Sequence, residues 1–417
     1  MKFSIITPTH NFKYIRELYE TIVAQTYTDW EWIVYVNGKA IHDKLPDAIL
    51  TDDRVKVYKD KTKNTKIGYL KHEAFNLGTG DVLIEMDHDD LLLPNCLQRL
   101  YDTYSTNPDV GFVSSDDARL QTNSEFVPFS PVFGWRHYNL KYKDTDLIVM
   151  DGFDIDAATM AFIWYAPDHV RTWKSDVYKS LGGHNIDMKV LDDHELMIRT
   201  YLVTKCHHLH EPLYVYRIDG NNTYTEPETY NGIQRDTVQL FYKYGYQLAE
   251  RDSELRGLLK VDIGGGIDGK PGYLTIDQEG GQITADLNDG IPLPDNSVGV
   301  LNASHILEHL HDKTKIMSEI YRVLADGGWA MIDVPSTDGR GAFQDPTHVS
   351  YWNQNSFFYY TRQDQARFIR NTTIRFQEFR LETIFPSQWW QDNNIPVTIA
   401  WLRAIKSDAR RAHHKLI

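Results

Sequence analysis

Cysteine is almost missing from this chain: two residues, Cys96 and Cys206, in 417. They have no metal-ligand spacing, so they are expected as free thiols in a reducing compartment. Long apolar runs are missing too, which excludes a membrane-spanning helix. Basic residues are outnumbered, with 44 Lys and Arg against 58 Asp and Glu and a formal charge of -14. The acidic residues are spread along the chain rather than gathered in a tail. That excludes a nonspecific nucleic-acid binder, which needs a basic face. There is no internal repeat and no low-complexity tract. The start, "MKFSIITPTH", reads as a strand rather than a signal peptide, because its apolar run is short and leads into Pro8. A cytoplasmic protein is expected, with contact to a membrane surface still open.

Aromatic residues, by contrast, make up 12% of the chain, with ten Trp and 25 Tyr. Such rings stack on sugars and bases as well as filling cores. The length exceeds what one core usually supports, so two domains are expected.

In the first half, short apolar runs alternate with amphipathic ones. "FSIIT" reads as a strand, and Ile15, Leu18, Tyr19, Ile22 and Val23 come next at helical spacing. "EWIVYV", "VKVY" and "DVLIEM" are further strands, with the helix "YLKHEAFNLGTG" before the last. This βαβ alternation predicts an α/β sheet that binds ligands outside the carboxyl ends of its strands. Asp87, Asp89 and Asp90 stand at such an end, in "MDHDD". Packed carboxylates repel unless they are solvated, cap a helix or share a cation. Capping of a helix near Pro94 is one reading, and a shared Mg²⁺ or Mn²⁺ is the other. A long irregular stretch is expected from Asn123 to Thr172, then the helix "DDHELMIRTYLV" and the strand "HEPLYVYRI". The turn-rich "DGNNTYTEPETYNG" closes the domain.

"FSIITPTHN", "QTYTDWEWIVYVNG", "MDHDD" and "LDDHEL", in this order, resemble the inverting family 2 glycosyltransferases of GT-A fold. The resemblance implies transfer of a sugar from a nucleotide-sugar donor to a glycan or lipid-linked glycan acceptor. It also implies that Pro8, Thr9 and Asn37 cradle the base, that Lys66 lies near the nucleotide, and that Asp87 and Asp89 hold the metal. Many relatives carry an acid where Asn37 stands, so the base stays open. The Q-x-x-R-W signature of processive synthases is missing, which favours one sugar per encounter. Inversion needs a carboxylate to take the acceptor proton, and the resemblance assigns Asp193. The same residues, Asp192 and Asp193, also suit a helix N-terminus as negative charges. His194 and Glu195 are candidate acceptor contacts, and Trp173 with Gly182–His184 matches the family's acceptor-side loop.

After a connecting helix the pattern restarts at "LLKVDIGGG". Strands are expected at Leu258–Ile263, Tyr273–Ile276, Val298–Asn302 and Trp329–Val334, a helix at Lys313–Leu324, and late strands in "FRLETIF" and "VTIAWLRAI". Gly264, Gly266 and Gly269 give a G-x-G-x-x-G that dinucleotide sites and plain turns also share. Downstream of this turn, "YLTID", "ITADLNDGIPLPDNSVGVLNASHILEHL" and "EIYRVLADGGWAMIDVPS" resemble class I S-adenosylmethionine-dependent methyltransferases with their Rossmann-like fold. The resemblance puts Asp262 and Gly264, Gly265 and Gly266 under the methionine part and Asp277 on the ribose. It puts Asp286 on the adenine and Asn302 to His305 on the methyl-transfer face. The helix between the first two strands is expected to be very short. His309 and His311 are expected on consecutive turns of a helix start, as ordinary surface or capping residues. His348, in "DPTHVSYWNQ", is a candidate base for a sugar hydroxyl.

The expected organisation is therefore a glycosyltransferase domain over 1–225, a connecting helix over 226–256 and a methyltransferase domain over 257–417. The expected function is bifunctional, with sugar transfer accompanied by O-methylation of a sugar. Two alternatives stay open for the second domain: a non-catalytic S-adenosylmethionine-binding or scaffold module, and a nicotinamide-dependent one.

Overall fold

The computed structural model describes residues 1–122, 125–162, 167–220, 226–371 and 373–412. The expected end of the first domain at 225 and the terminus at 417 lie outside the described residues. The chain forms two compact units, Met1–Leu248 and Ala249–Arg410.

In the first unit, β1 (Phe3–Thr9), β2 (Trp30–Val36), β3 (Val55–Lys59) and β4 (Val82–Glu85) are parallel neighbours in the order β3-β2-β1-β4. All seven residues of β2 are buried, as a strand covered on both faces by crossover elements must be. The helix Ile15–Val23 closes one face through Ile15, Leu18 and Ile22, which join Phe3, Ile5, Trp32 and Val34 in one core. The sheet continues through β5 (Leu91–Leu92), β6 (Val110–Gln121), β9 (Arg171–Lys174) and β10 (Lys205–Ile218). β9 runs antiparallel to β4 and sets Arg171 beside Glu85. That register matters for the site.

Two expectations about this unit need correction. The stretch from Asn123 to Thr172 is not wholly irregular: β7 (Arg136–Tyr142) and β8 (Thr145–Asp151) form a hairpin on β6, and the helix Ala157–Phe162 comes after it. Its pattern was hard to read because β7 is mostly exposed and so shows no apolar alternation. Asp89 and Asp90 do not cap the helix Cys96–Thr106, whose N-cap is Asn95 without a side-chain bond.

The second unit carries a seven-stranded sheet in the order β13-β12-β11-β14-β15-β17-β16. Its strands are β11 (Leu259–Ile263), β12 (Leu274–Asp277), β13 (Ile283–Thr284), β14 (Val298–Ser304), β15 (Leu324–Pro335), β16 (Phe376–Ile384) and β17 (Val397–Ala404). β11 to β15 are parallel, and β17 and β16 close the edge antiparallel. Between β11 and β12 only the short turn Gly266–Asp268 is helical. His309 and His311 precede their expected helix: His309 ends a turn at Leu307–His309, and the helix Lys313–Val323 starts after Asp312 caps it. The cap is chemical, since the Asp312 carboxylate accepts from the Thr314 and Lys315 N–H groups, each at 2.9 Å. Both units are thus α/β folds with parallel strands at their centre. Among the described residues no helix is long and apolar enough to cross a membrane.

Candidate active sites

A cavity of about 1110 Å³ opens at the carboxyl ends of β1, β2, β3 and β4. Pro8, Asn37, Asp87 and Asp89 all line it. The Asn37 N–H donates to the Thr9 carbonyl at 2.8 Å, tying the ends of β1 and β2 together. Thr9 itself is buried and its hydroxyl donates to the Asn11 carbonyl at 2.5 Å, so it shapes the turn rather than the cavity wall.

The three carboxylates after β4 have separate fates. Asp90 is buried and already satisfied, accepting from the Arg217 N–H at 2.7 Å and the Tyr214 hydroxyl at 2.8 Å. Asp87 and Asp89 remain facing the cavity. Burial and the neighbouring Asp87 raise the Asp89 carboxyl above its ordinary value, because desolvation and a like charge both disfavour the ionised form. Two hard oxygen donors of this kind fit Mg²⁺ or Mn²⁺ with positions left for a diphosphate.

In the second unit the carboxyl ends of β11, β12 and β14 converge. The Asp262 carboxylate accepts from the Asn302 amide at 2.7 Å and from the Lys270 N–H at 2.7 Å. Asp277 accepts from the Gly266 N–H at 3.0 Å and the Glu279 N–H at 3.1 Å. Gly264 has φ +78°, and a Cβ there would meet Ile306 at 2.6 Å, so only glycine fits. Asp286 is exposed in the loop after β13. Bonding to the Asn288 N–H and the Gln278 side chain holds its carboxyl below the ordinary value. His305 comes directly after β14 with φ +52°, its ring 3.5 Å from Asp333 and 3.6 Å from Glu308. A carboxylate at one strand end, a glycine turn at another and an amide at a third suit the ribose and methionine parts of an adenosyl cofactor.

Comparison with known proteins divides the chain in the same way. Residues 4–168 match the model of the glycosyl transferase family 2, and residues 266–332 match a methyltransferase domain. The chain joins a family 2 glycosyltransferase domain to a methyltransferase domain. Over 113 residues it is 33% identical to the glucosyl-dolichyl phosphate glucuronosyltransferase of Haloferax volcanii, covering 26% of this chain and 36% of that protein. Over 128 residues it is 28% identical to the O-antigen biosynthesis glycosyltransferase WbnJ of Escherichia coli, covering 30% and 49%. In the second half, 67 residues are 36% identical to a probable S-adenosylmethionine-dependent methyltransferase of Mycolicibacterium smegmatis, covering 15% and 26%. The chain thus spans less than half the length of each of these relatives. Among solved structures, S. aureus TarS 1-349 with UDP aligns at 16% identity and TM-score 0.45, over 61% of this chain and 71% of that one.

The expected base of the glycosyltransferase domain, Asp193, lies outside the matched segment and is not among the residues lining the cavity. It heads the helix Asp192–Val203 and forms an ion pair with Arg171, while its other oxygen accepts the His194 N–H at 2.7 Å. Burial opposes its charge, but Arg171 and Lys71 outweigh burial and hold the carboxyl far below the ordinary range. Asp192 is sealed in beside it. Burial drives its carboxyl up to about 7 against the pull of Lys71.

Lys71 was missed by sequence reasoning. It lines the cavity, bonds Glu85 at 2.5 Å and lies 3.7 Å from Asp192. The signal was available: Lys71 falls on the buried stripe of its helix, with Gly68, Leu70, Ala74 and Phe75. A charge on an apolar stripe calls for buried partners. Arg171, 3.8 Å from Glu85, completes the link to Asp193. On the cavity side, His169 lies 3.6 Å from Asp87.

Other expectations are not met by the packing. Lys66 does not line the cavity, and its ammonium bonds Asp187 at 2.7 Å. Trp173 is fully buried and donates to Thr200 at 3.0 Å, so it is core rather than acceptor surface. His194 and Glu195 are also inside. Glu195 grips Arg199, which donates to the Leu181 and Gly183 carbonyls at 2.8 Å each and so braces the glycine loop. His184 of that loop is buried 3.8 Å from Asp192.

Among the described residues, two groups bring three metal-ligating atoms within 4.8 Å of one another: Asp116, His208 and His210, and Glu308, His309 and His348. In the first group His208 is already paired, with Asp116 and with Ser114, each at 2.9 Å.

Proposed function

We propose that the chain is a bifunctional glycan-modifying enzyme, adding a sugar from a nucleotide-sugar by inversion and methylating a sugar hydroxyl from S-adenosylmethionine. It would act in the cytoplasm on a glycan or a lipid-linked glycan. The observation that carries the first activity is the pair Asp87 and Asp89 on a large cavity beside Pro8 and Asn37.

In this reading Pro8 and Asn37 frame the base while Thr9 fixes the turn behind them, and Asn37 offers both a donor and an acceptor where an acid would offer only acceptors. Asp87 and Asp89 would hold a divalent cation, which supplies positive charge to the departing diphosphate. Asp90 keeps the loop in place and leaves the other two carboxylates available. Asp193, whose side chain is 22% exposed against 3% for Asp192, takes the acceptor proton. Arg171 keeps it ionised and oriented, and Lys71 with Glu85 buttresses the pair from beneath. Asp193 is thus held ionised, the form that can take the proton as the hydroxyl attacks.

The second activity is supported by Asp277 beside the Gly266 N–H and by Asp262 beside Asn302. Asp277 would accept from the ribose hydroxyls, Asp286 would reach the adenine, and Asn302 to His305 would border the reacting methyl. His348, in the loop held against the Leu307–His309 turn, is the candidate to receive the hydroxyl proton. A scaffold role, or a nicotinamide cofactor, is separated from this reading by one experiment. Calorimetry of the full chain with S-adenosylhomocysteine and with NAD is expected to show binding of the first alone. Hydrolysis of nucleotide-sugars dependent on Mn²⁺, screened over uridine and guanosine donors, tests the first activity and fixes its base.

A further inference from the structure

Two motifs of the second unit, "LEHL" and "DPTHVS", are knitted to each other. The Glu308 carbonyl accepts N–H bonds from Val349 at 2.9 Å and Ser350 at 3.0 Å, and the Ser350 hydroxyl donates to the Leu307 carbonyl at 2.9 Å. These bonds hold the loop against the turn Leu307–His309 and gather Glu308, His309 and His348, one ligand atom of each within 4.8 Å of the others.

Two independent features point to a missing ligand. Glu308 is only 2% exposed, yet its Oε2 has no hydrogen-bond partner. A buried carboxylate oxygen left in that state is costly unless something binds it. The second feature is the set of both rings. His348 Nδ1 lies 3.0 Å from the Ala342 carbonyl, and His309 Nδ1 lies 3.2 Å from the Thr347 carbonyl. A carbonyl only accepts, so His348 Nδ1 is the donor and leaves Nε2 to another partner. His309 Nδ1 also lies 3.1 Å from the Thr347 hydroxyl, which itself donates to Asp345 at 2.6 Å, so here too the ring nitrogen is the donor. Backbone carbonyls set metal-ligating histidines in this way.

We propose that Glu308, His309 and His348 hold one divalent transition-metal ion, with a position open to an oxygen of the methyl acceptor. Two imidazoles and one carboxylate suit zinc, manganese, iron or cobalt better than the all-oxygen shells of calcium and magnesium. Bonds of about 2.0–2.2 Å put ligand atoms roughly 3.4 Å apart, so the group closes by rotating side chains and not by moving strands. Its role in catalysis rests on the methyltransferase reading; the ion site does not. Bound there, the ion supplies Lewis acidity to an acceptor hydroxyl, and His348 then serves as a ligand rather than as the proton acceptor. The transfer balances: the sulfonium C–S bond breaks with its electrons to sulfur, the O–C bond forms, and the hydroxyl proton leaves to solvent.

The test uses the full chain carrying Asp89→Ala, which weakens the other expected metal site, after treatment with a chelator. Titration with Co²⁺ is followed by calorimetry and by the visible absorption of cobalt on nitrogen ligands. Glu308→Gln and His348→Ala are each expected to bind one equivalent less than this parent, or to bind it at least 100-fold more weakly. His309→Ala, at a more exposed position, serves if the Glu308 variant does not fold. Equal cobalt stoichiometry and affinity in parent and variants overturns the site. S-adenosylhomocysteine binding on the same samples keeps the two readings apart. A cobalt difference supports the ion site even where no S-adenosylhomocysteine binds, and that pairing overturns only its role in methyl transfer.

Discussion

The acidic cluster of the first unit and the Glu308 cluster of the second handle buried negative charge in opposite ways. Around Asp87, three carboxylates crowd one wall; one is consumed by Arg217 and Tyr214, and the remaining two face a large cavity. Around Glu308, a single carboxylate is sealed away and its neighbours are imidazoles. In the proposed reading the first arrangement would select a hard cation that arrives with a charged ligand, because open positions and repelling carboxylates reward a diphosphate. The second, as proposed, would select a softer ion through nitrogen donors. The placement is nevertheless shared, since both clusters lie past the carboxyl end of a central parallel strand. The fold supplies the position, and the side chains supply the chemistry.

The comparison can be broken first at the general base. Asp193→Asn is expected to lower turnover by about two to four orders of magnitude with donor affinity nearly unchanged. Single-turnover kinetics on a defined acceptor checks it, and near-normal turnover would move the base elsewhere, with Asp192 next in line.

A second prediction concerns what holds the first cluster's underside. Lys71→Met strips the cation from Glu85 and Asp192, both buried, and is expected to cost about 3–5 kcal/mol. The double variant Lys71→Met with Glu85→Gln should recover part of that. Denaturant unfolding followed by a probe in the first unit reads both. A single variant as stable as the parent would mean that the network is solvated.

The smallest effect is a pH dependence. The Asp192 carboxyl is raised by burial from 3.8 to about 7, so within that window the folded chain holds a proton that the unfolded chain has released. Stability contributed by Asp192 is therefore full below the lower value and is lost as pH rises through the window. Asp192→Asn is expected to flatten that decline. Thermal unfolding between pH 5 and pH 8, in parent and variant, would show the same slope if Asp192 titrates normally.

Much of this organisation was legible in the sequence because it rests on strong local patterns. The runs "FSIIT" and "EWIVYV" are apolar on both faces, and a strand delivers Asp87 to its end whatever surrounds it. The turn at Gly264 needs a left-handed backbone, which glycine announces. The hairpin of β7 and β8 escaped, because exposed strands carry no alternation. Partnerships between distant residues escaped as well. Nothing near Asp193 in the chain signals Arg171, which reaches it only because β9 pairs antiparallel with β4. Trp173 and His194 sit in motifs that point to a binding surface, yet their surroundings bury them.

Two separate transfer sites on one chain should respond independently to substitution, and paired binding measurements read this. The full-length parent, Asp89→Ala and Asp277→Ala are titrated by calorimetry with Mn²⁺–UDP, Mn²⁺–GDP and S-adenosylhomocysteine. Asp89→Ala is expected to lose nucleoside diphosphate binding and keep S-adenosylhomocysteine. Asp277→Ala loses charge-assisted bonds of roughly 1.5–3 kcal/mol each, so its S-adenosylhomocysteine affinity should fall tenfold or more while the nucleotide still binds. A parent that binds no S-adenosylhomocysteine, or variants that weaken both ligands together, would rule out two independent transfer sites.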